Sequence, residues 1–204
     1  MSQDTSSPPV RFQPRPRRSG EGALTVVSAE TLGPACPVLD FAFQGGRDRI
    51  VALRVELPGH GPAVVDALFT TPTRSGLVRV PPPHGRGWSG RETGRGAVRW
   101  VSSLLAAPVL SCEGVPLGRV VRVVVDHLRQ RLVDLVLDQG ERLHLDQALI
   151  LKDGSVLVDD ERCVHSPVEQ WLAWQQDIEQ GHFWWDGRLR APPPLEPLRA
   201  SARV

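Results

Sequence analysis

Three side chains near the carboxyl end have the chemistry of metal ligands: Cys163, His165 and His182. Zinc is held by thiolates and imidazoles, but a closed site takes four ligands, and three scattered ones are weak evidence. The sequence contains no G-x-S-x-G, H-E-x-x-H or C-x-x-C motif, so the spacings of common catalytic and metal sites are lacking. We therefore expect no catalytic residues, no metal site and no cofactor.

Gly85, Gly87 and Gly90 have the spacing of a dinucleotide-binding loop. Such a loop requires a strand that leads directly into it and a helix that opens after it. The surrounding segment, 81–100, is instead dominated by Pro, Gly and Arg, which is typical of a linker or a long exposed loop. The glycine spacing therefore does not predict a nucleotide site.

The same segment offers a nucleic-acid hypothesis. Charge and base stacking could together grip RNA, and the candidate residues are Arg86, Trp88, Arg91 and Arg95. Against this, the formal net charge of the chain is only +1, and residues 108–160 carry nine acidic and six basic side chains, a balance of −3. Phosphate binding needs clustered cations, so nucleic acid is the disfavoured partner.

Aromatic residues are concentrated in a predicted C-terminal helix and the residues after it. Ser166 and Glu169 form a capping box with Pro167 at the first helical position, which predicts a helix over 167–180. The candidate partner-binding residues are Trp171, Trp174, Phe183, Trp184 and Trp185. They form either a lid over a barrel or an exposed docking surface, and the lid is favoured because contiguous exposed aromatics are rare on soluble monomers.

These features must be positioned by the stretch 108–160, where short apolar runs are interrupted by turn residues every eight to twelve positions. Residues 119–126 are rich in β-branched side chains, and Asp153-Gly154 is a hairpin signal. Alternation over 132–138 predicts an apolar face and a solvated face that carries Asp134 and Asp138. The predicted core is Val120, Val123, Val125, Val133, Leu135, Leu137, Leu143, Leu145 and Val156.

The glycine-punctuated pattern of 114–126, followed by the segments 132–138, 143–149 and 153–158, resembles the PRC-barrel family. Members include the barrel domain of the photosynthetic reaction-centre H subunit, that of a ribosome maturation factor, and small stand-alone bacterial proteins. The resemblance implies a small bent-strand β-barrel used for docking. The family shares no catalytic residues, so it implies none here.

Residues 23–80 read as a degenerate second copy of this stretch. Residues 49–56 match 131–138 in their order of polar and apolar residue types, and the offset between the copies stays at about eighty residues. This period predicts duplicated domains rather than a solenoid. We therefore expect a mainly β chain with two small PRC-barrel-like antiparallel barrels, arising from internal duplication, and one C-terminal α-helix. The alternative is that two unrelated small β units look alike at this level.

The expected organisation is a disordered basic tail (1–22), a degenerate PRC-barrel-like unit (23–81), a Pro/Gly/Arg-rich linker (82–106), a PRC-barrel unit (107–161), a helix with an aromatic clip (162–186) and a disordered tail (187–204). Three unclustered cysteines favour a reducing cytoplasm over a disulfide framework. No apolar run is long enough to span a membrane.

Together these features predict a non-enzymatic protein-binding or scaffold module in the cytoplasm, with a protein partner and a homo-oligomer as a further option. One alternative is an RNA- or ribosome-associated factor that uses the Arg-rich tail and linker. A weaker alternative, by analogy with the H subunit alone, is an accessory protein of an electron-transfer or pigment complex; likeness of fold does not establish function.

Overall fold

The computed structural model describes residues 25–28, 36–44, 48–57, 61–73, 77–81, 87–89, 98–158 and 167–193. Within these ranges the protein is mainly β, with a single α-helix, α1, at Pro167–Gln180. The strands are β1 Thr25–Ser28, β2 Cys36–Gln44, β3 Ile50–Leu57, β4 Gly61–Asp66, β5 Thr71–Pro72, β6 Leu77–Val80, β7 Trp88–Ser89, β8 Val98–Trp100, β9 Pro108–Ser111, β10 Pro116–Asp126, β11 Arg131–Leu137, β12 Arg142–His144, β13 Ala148–Ile150, β14 Val156–Val158, β15 Phe183–Trp185 and β16 Leu189–Arg190.

The first sheet is built around β2, whose Val38, Phe41 and Phe43 are buried. Its strand order is β5-β6-β1-β2-β3-β4-β7, and β8 pairs with the far part of β2. The β1–β6 pair is parallel and the other pairs are antiparallel. The β2–β3 register shifts twice, between Val38 and Asp40 and between Ala42 and Phe43, which lets the long strand bend.

The second sheet has the order β12-β11-β10-β9-β14-β13, with β15 added to β10 and β16 added to β15. Here β9 and β14 are the parallel pair. The β10–β11 register shifts between Val120 and Arg122 and between Val124 and Val125. A long β-branched strand interrupted by two irregularities curls, because each extra residue increases the local twist.

The predicted core of this sheet is buried at every position except Val133, which is only half-buried. The alternation was misassigned there because the second irregularity pairs Val125 with Leu132 and Val124 with Asp134, so that Val133 is the extra residue. Leu132 therefore enters the core. The prediction of a solvated face at Asp134 was also wrong, since this carboxylate is buried.

The two sheets share one continuous apolar core and pair directly at their turns. The backbone N–H of Ile50 donates to the carbonyl oxygen of Gln130 (2.8 Å), and that of Leu132 donates to the carbonyl oxygen of Asp48 (2.7 Å). Phe41 also meets Trp185 edge to face, with ring centroids 6.3 Å apart. These contacts make the two sheets one packed body over the described ranges.

Part of the predicted linker is folded into this body. Strand β8 leads into a 3-10 turn at Val101–Leu104, whose Val101 and Leu104 side chains are fully buried. In the ranges that the structure covers, the helix is too short and too polar to cross a membrane.

Candidate functional site

The C-terminal segment lies against the second sheet. Strand β15 pairs antiparallel with β10, so that Val123, Val124 and Val125 face Trp185, Trp184 and Phe183 in register. The side chains of Phe183, Trp184 and Trp185 are only 6%, 4% and 3% exposed. The three side chains fill the fold instead of facing solvent, and the strand that carries them extends the second sheet.

Helix α1 starts at the predicted Pro167 and stops before Gly181, which has the positive φ (+70°) that glycine tolerates at a helix end. The capping residue Ser166 lies outside the described residues. Trp171 and Trp174 are half-buried. The Trp174 indole donates to the carbonyl oxygen of Pro193 (3.1 Å), and its ring lies 5.2 Å from that of Trp184. Of the five aromatic candidates, these two retain surface that a partner could reach.

Asp177 anchors α1 to the sheet. It is 1% exposed, and its two oxygens accept four hydrogen bonds. Oδ1 accepts from Arg142 Nη2 (2.7 Å) and His182 Nδ1 (2.9 Å), and Oδ2 accepts from Arg142 Nη1 (2.9 Å) and Trp184 Nε1 (2.8 Å). Burial alone would raise the pKa of Asp177, but the hydrogen bonds from His182, Arg142 and Trp184 outweigh it and lower that pKa.

Arg142 carries this contact across to β11. Its Nε donates to Asp134 Oδ2 (2.5 Å), and the other oxygen of Asp134 is bonded to His144 Nδ1. Burial would lower the pKa of Arg142, but its bonds to Asp177 and the charge of Asp134 raise it. We call Asp134, Arg142, His144, Asp177 and His182 the buried ion network. It joins two strands of the sheet to α1 and β15 through fully engaged carboxylates.

A second polar group borders the network. Asp126 accepts hydrogen bonds from the backbone and guanidinium of Arg129, both at 3.0 Å, and its Oδ2 lies 4.0 Å from His182 Nε2. His127 Nε2 donates to the carbonyl oxygen of Thr73, the residue after β5 (2.9 Å), because a carbonyl can only accept. Burial lowers the pKa of His127, so its imidazole is neutral near pH 7.

The carboxylates of the network are engaged by donors within the fold. Among the described residues, no three His, Cys, Asp or Glu side chains are placed to hold a metal ion. The Arg122 guanidinium lies 3.9 Å over the Trp184 ring. The arrangement can hold a helix in one position.

A separate apolar feature lies on the first sheet, in the 3-10 turn Ala67–Phe69. Leu68 is 74% exposed and Phe69 is 48% exposed. The turn is held firmly, because the Leu68 N–H donates to Asp66 Oδ1 (2.9 Å) and Gln130 Nε2 donates to the carbonyl oxygen of Ala67 (3.3 Å). We call this feature the Leu68–Phe69 turn.

Phe69 also packs against backbone at Gly87. A Cβ added at Gly87 would lie 2.6 Å from the Phe69 ring, and the φ of Gly87 is +99°, so glycine is required there on both counts. An aromatic ring that is held in this way has little conformational freedom left to lose on binding, which favours its use in a contact.

Sequence reasoning did not single out the Leu68–Phe69 turn, although a signal was present. In the second sheet the matching 3-10 turn, Leu145–Gln147, has exposed Asp146 and half-buried Gln147 after its buried first residue. Aligning the two turns places the apolar pair Leu68 and Phe69 opposite this polar pair. The turn of the first sheet thus presents apolar side chains at the two positions where the turn of the second sheet has polar ones.

The remaining candidates are placed as follows. Trp88 is half-buried in β7, and its indole donates to the carbonyl oxygen of Pro81 (3.0 Å), so it is partly engaged within the fold. Gly85, Arg86, Gly90, Arg91 and Arg95 lie outside the described residues, as do Cys163 and His165. His182 is committed to Asp177.

Comparison with known proteins assigns the chain to no family. The chain matches no protein-family model and has no significant match to a curated protein.

Proposed function

We propose that the chain is a non-enzymatic protein-binding or scaffold module of the PRC-barrel type, made of two PRC-barrel-like units related by internal duplication. The observation that carries the binding role is the Leu68–Phe69 turn, a firmly held apolar pair presented to solvent. Aromatic and aliphatic side chains on a rigid support are what a protein partner buries at the centre of an interface.

The pairing pattern of the two sheets supports the duplication. Strand order β5-β6-β1-β2-β3-β4 in the first corresponds to β13-β14-β9-β10-β11-β12 in the second, including the parallel pair in each. Both register shifts also recur: those at Val38/Asp40 and Ala42/Phe43 correspond to those at Val120/Arg122 and Val124/Val125. Two unrelated small β units have no reason to share both irregularities.

The contact between the units supports the same proposal. Ile50 bonds Gln130 while Leu132 bonds Asp48, and Arg49 faces Arg131 in an antiparallel bridge. This exchange, in which each unit offers the same groups to the other, is the pattern of a two-fold, isologous interface. A fused pair of barrels with that symmetry would present two related but differently decorated surfaces, of which the first carries the apolar turn.

Engagement of the buried polar groups supports a structural role for them. The carboxylates of Asp134 and Asp177 accept bonds from guanidinium, imidazole and indole donors. A general base needs a lone pair within reach of a substrate. The oxygens of Asp134 and Asp177 instead accept the hydrogen bonds that connect the sheet to α1. Reproducible turnover of a small substrate that is lost on changing one polar side chain would contradict the non-enzymatic proposal.

The test exchanges the exposed pair for the residues of the related turn, in the double variant Leu68→Asp/Phe69→Gln. The full chain and this variant, each tagged, are used for quantitative affinity capture from native extract with chemical cross-linking. We expect the variant to lose at least ten-fold of the captured partner. The single variant Leu68→Asp, at a side chain that is 74% exposed, should lose partner in the same direction while its unfolding midpoint stays near that of the parent.

The matched control is Leu149→Asp, which replaces a leucine of the second unit that is 57% exposed in the same way as Leu68→Asp. It should retain the partner. Equal capture by the parent and the double variant, or equal loss in the double variant and the control, would remove the Leu68–Phe69 turn as the binding surface. A second copy of the chain as the partner would be recognised by a change in molar mass with concentration in the parent alone.

A further inference from the structure

A chain of contacts connects solvent to α1 through the buried ion network. His144 lies at its outer end, with 52% of its side chain exposed, and its Nδ1 is bonded to Asp134. Asp134 is bonded to Arg142, and Arg142 is bonded to Asp177 of α1. A proton taken up from solvent at His144 therefore acts on a continuous set of charged contacts that ends on the helix.

Within the hydrogen-bonded set of Asp134, Arg142 and Asp177, the charges balance only with one added proton, while the Arg122 guanidinium over the Trp184 ring acts on Asp177 from β10. Asp134 and Asp177 contribute two negative charges, Arg142 contributes one positive charge, and the three side chains are at most 8% exposed. A buried charge without a partner is costly, because the interior solvates it poorly. One protonated imidazole cancels the remaining negative charge.

Two imidazoles touch the network, and their surroundings differ. His182 is enclosed, and its Nε2 has no hydrogen-bond partner among the described residues, with Asp126 Oδ2 4.0 Å away. His144 is half exposed, so a charged ring there keeps contact with water while it neutralises Asp134. A proton on His144 therefore remains in exchange with solvent.

The groups that face His144 come from each neighbouring element. Asp134 on β11 and Asp146 in the turn Leu145–Gln147 favour its charged form, whereas Arg142 on β12 opposes it. The hydrogen bond to Asp134 is the largest influence and raises the pKa of His144 above its ordinary value, against partial burial. Asp177 and His182 act through Arg142.

We propose that docking of α1 is coupled to protonation of His144, so that the helix is held more tightly when this imidazole is charged. The sign follows from the charges. With α1 docked, Asp134, Asp177 and Arg142 leave one negative charge for the proton to cancel, whereas without Asp177 the pair of Asp134 and Arg142 is already neutral. The docked state therefore binds the proton more strongly than the undocked state, and the added stability is complete below the pKa that His144 has in the undocked state. It is lost as the pH rises through the raised pKa of docked His144. Linkage also requires the converse, that undocking α1 lowers the pKa of His144.

The experiment follows His144 and α1 in the full chain. Proton NMR of the imidazole Cε1–H gives the pKa of His144, assigned with the variant His144→Gln. Hydrogen exchange of α1 amides, normalised to the intrinsic rate at each pH, gives the docking equilibrium. We expect His144 to titrate above 6.5 and α1 protection to fall across that titration, by up to about ten-fold for each unit by which docking raises the pKa of His144.

Two variants separate coupling from a merely local hydrogen bond. His144→Gln changes a half-exposed side chain and should remove the pH dependence of α1 protection across this window. Asp177→Asn, which leaves the His144–Asp134 contact in place, should return the pKa of His144 toward its ordinary value. A pKa at or below 6.5 in the parent, or α1 protection in His144→Gln that follows the parental pH profile, would overturn the proposal even if Asp177→Asn fails to fold.

Discussion

Substituting Asp177 tests whether the buried ion network holds α1. Asp177→Asn keeps the shape of the side chain but removes the charge that faces the bidentate guanidinium of Arg142. Arg142 is then left buried with Asp134 as its remaining charged partner. Breaking a buried ion pair by removing one partner costs about 3–5 kcal/mol, most of it from the charge left behind.

Urea unfolding of the parent and the variant measures this loss, with Trp fluorescence and circular dichroism as parallel probes. The matched control is Asp186→Asn, which removes the same charge from the ion pair between Asp186 and Arg190, whose side chains are 25% and 54% exposed. An exposed pair contributes about 0–1 kcal/mol. If the loss of free energy of unfolding in Asp177→Asn lies within about 1 kcal/mol of the loss in this control, which is the range of surface ion pairs, the buried ion network does not hold α1.

Two further predictions concern the second sheet. Leu135→Ala should lower the free energy of unfolding by about 2–5 kcal/mol because Leu135 is fully buried, whereas Val133→Ala at the irregularity should cost clearly less; equal losses in urea unfolding would contradict the register described here. The lowered pKa of His127 predicts stability that is present above about pH 6.5 and lost as the pH falls through that lowered pKa, since the unfolded chain takes up the proton first. In His127→Gln this acid-side slope should be shallower, and an unchanged slope in unfolding measured from pH 7 to pH 4.5 would oppose the assignment.

Much of the fold follows from local pattern. Turn residues at regular spacing and β-branched runs indicated the strands of 108–158, and the capping box with its proline indicated the helix at Pro167–Gln180. These signals are local, because each depends on residues within a few positions of one another. The mainly β class with one helix could therefore be predicted without any knowledge of contacts.

The buried ion network could not be predicted, for two physical reasons. A strand irregularity reverses which side chains share a face, and nothing in the alternation around Val133 reveals it. The burial of Asp134 also depends on a helix that lies more than thirty residues later in the chain. A carboxylate on the outer face of a sheet is solvated unless another element covers it. In the sequence, Asp177 is likewise an ordinary polar residue of an amphipathic helix, and only the fold shows that it binds Arg142.

Comparison of the two sheets indicates what the network is for. The β3–β4 register pairs Ala52 with Asp66 and Arg54 with Val64, and the β11–β12 register pairs Asp134 with His144 and Val136 with Arg142. Under the proposed duplication, Ala52 and Val64 occupy the places of Asp134 and Arg142.

The charged network is thus absent from the corresponding positions of the first sheet and present on the sheet that α1 covers. The first sheet therefore packs without those charges at the paired positions, and replacing a buried ion pair by apolar side chains is often neutral or stabilising. What an ion pair adds that apolar packing does not is a single geometry, since four donors meet the two oxygens of Asp177 in one position of the helix alone. We infer that these charges fix where α1 sits, and that their contribution to the stability of the sheet itself is secondary. The double variant Asp134→Ala/Arg142→Val, which copies the first sheet, should then keep the sheet folded while α1 loses protection from hydrogen exchange; unfolding of sheet and helix together would place the network in the core of the fold instead.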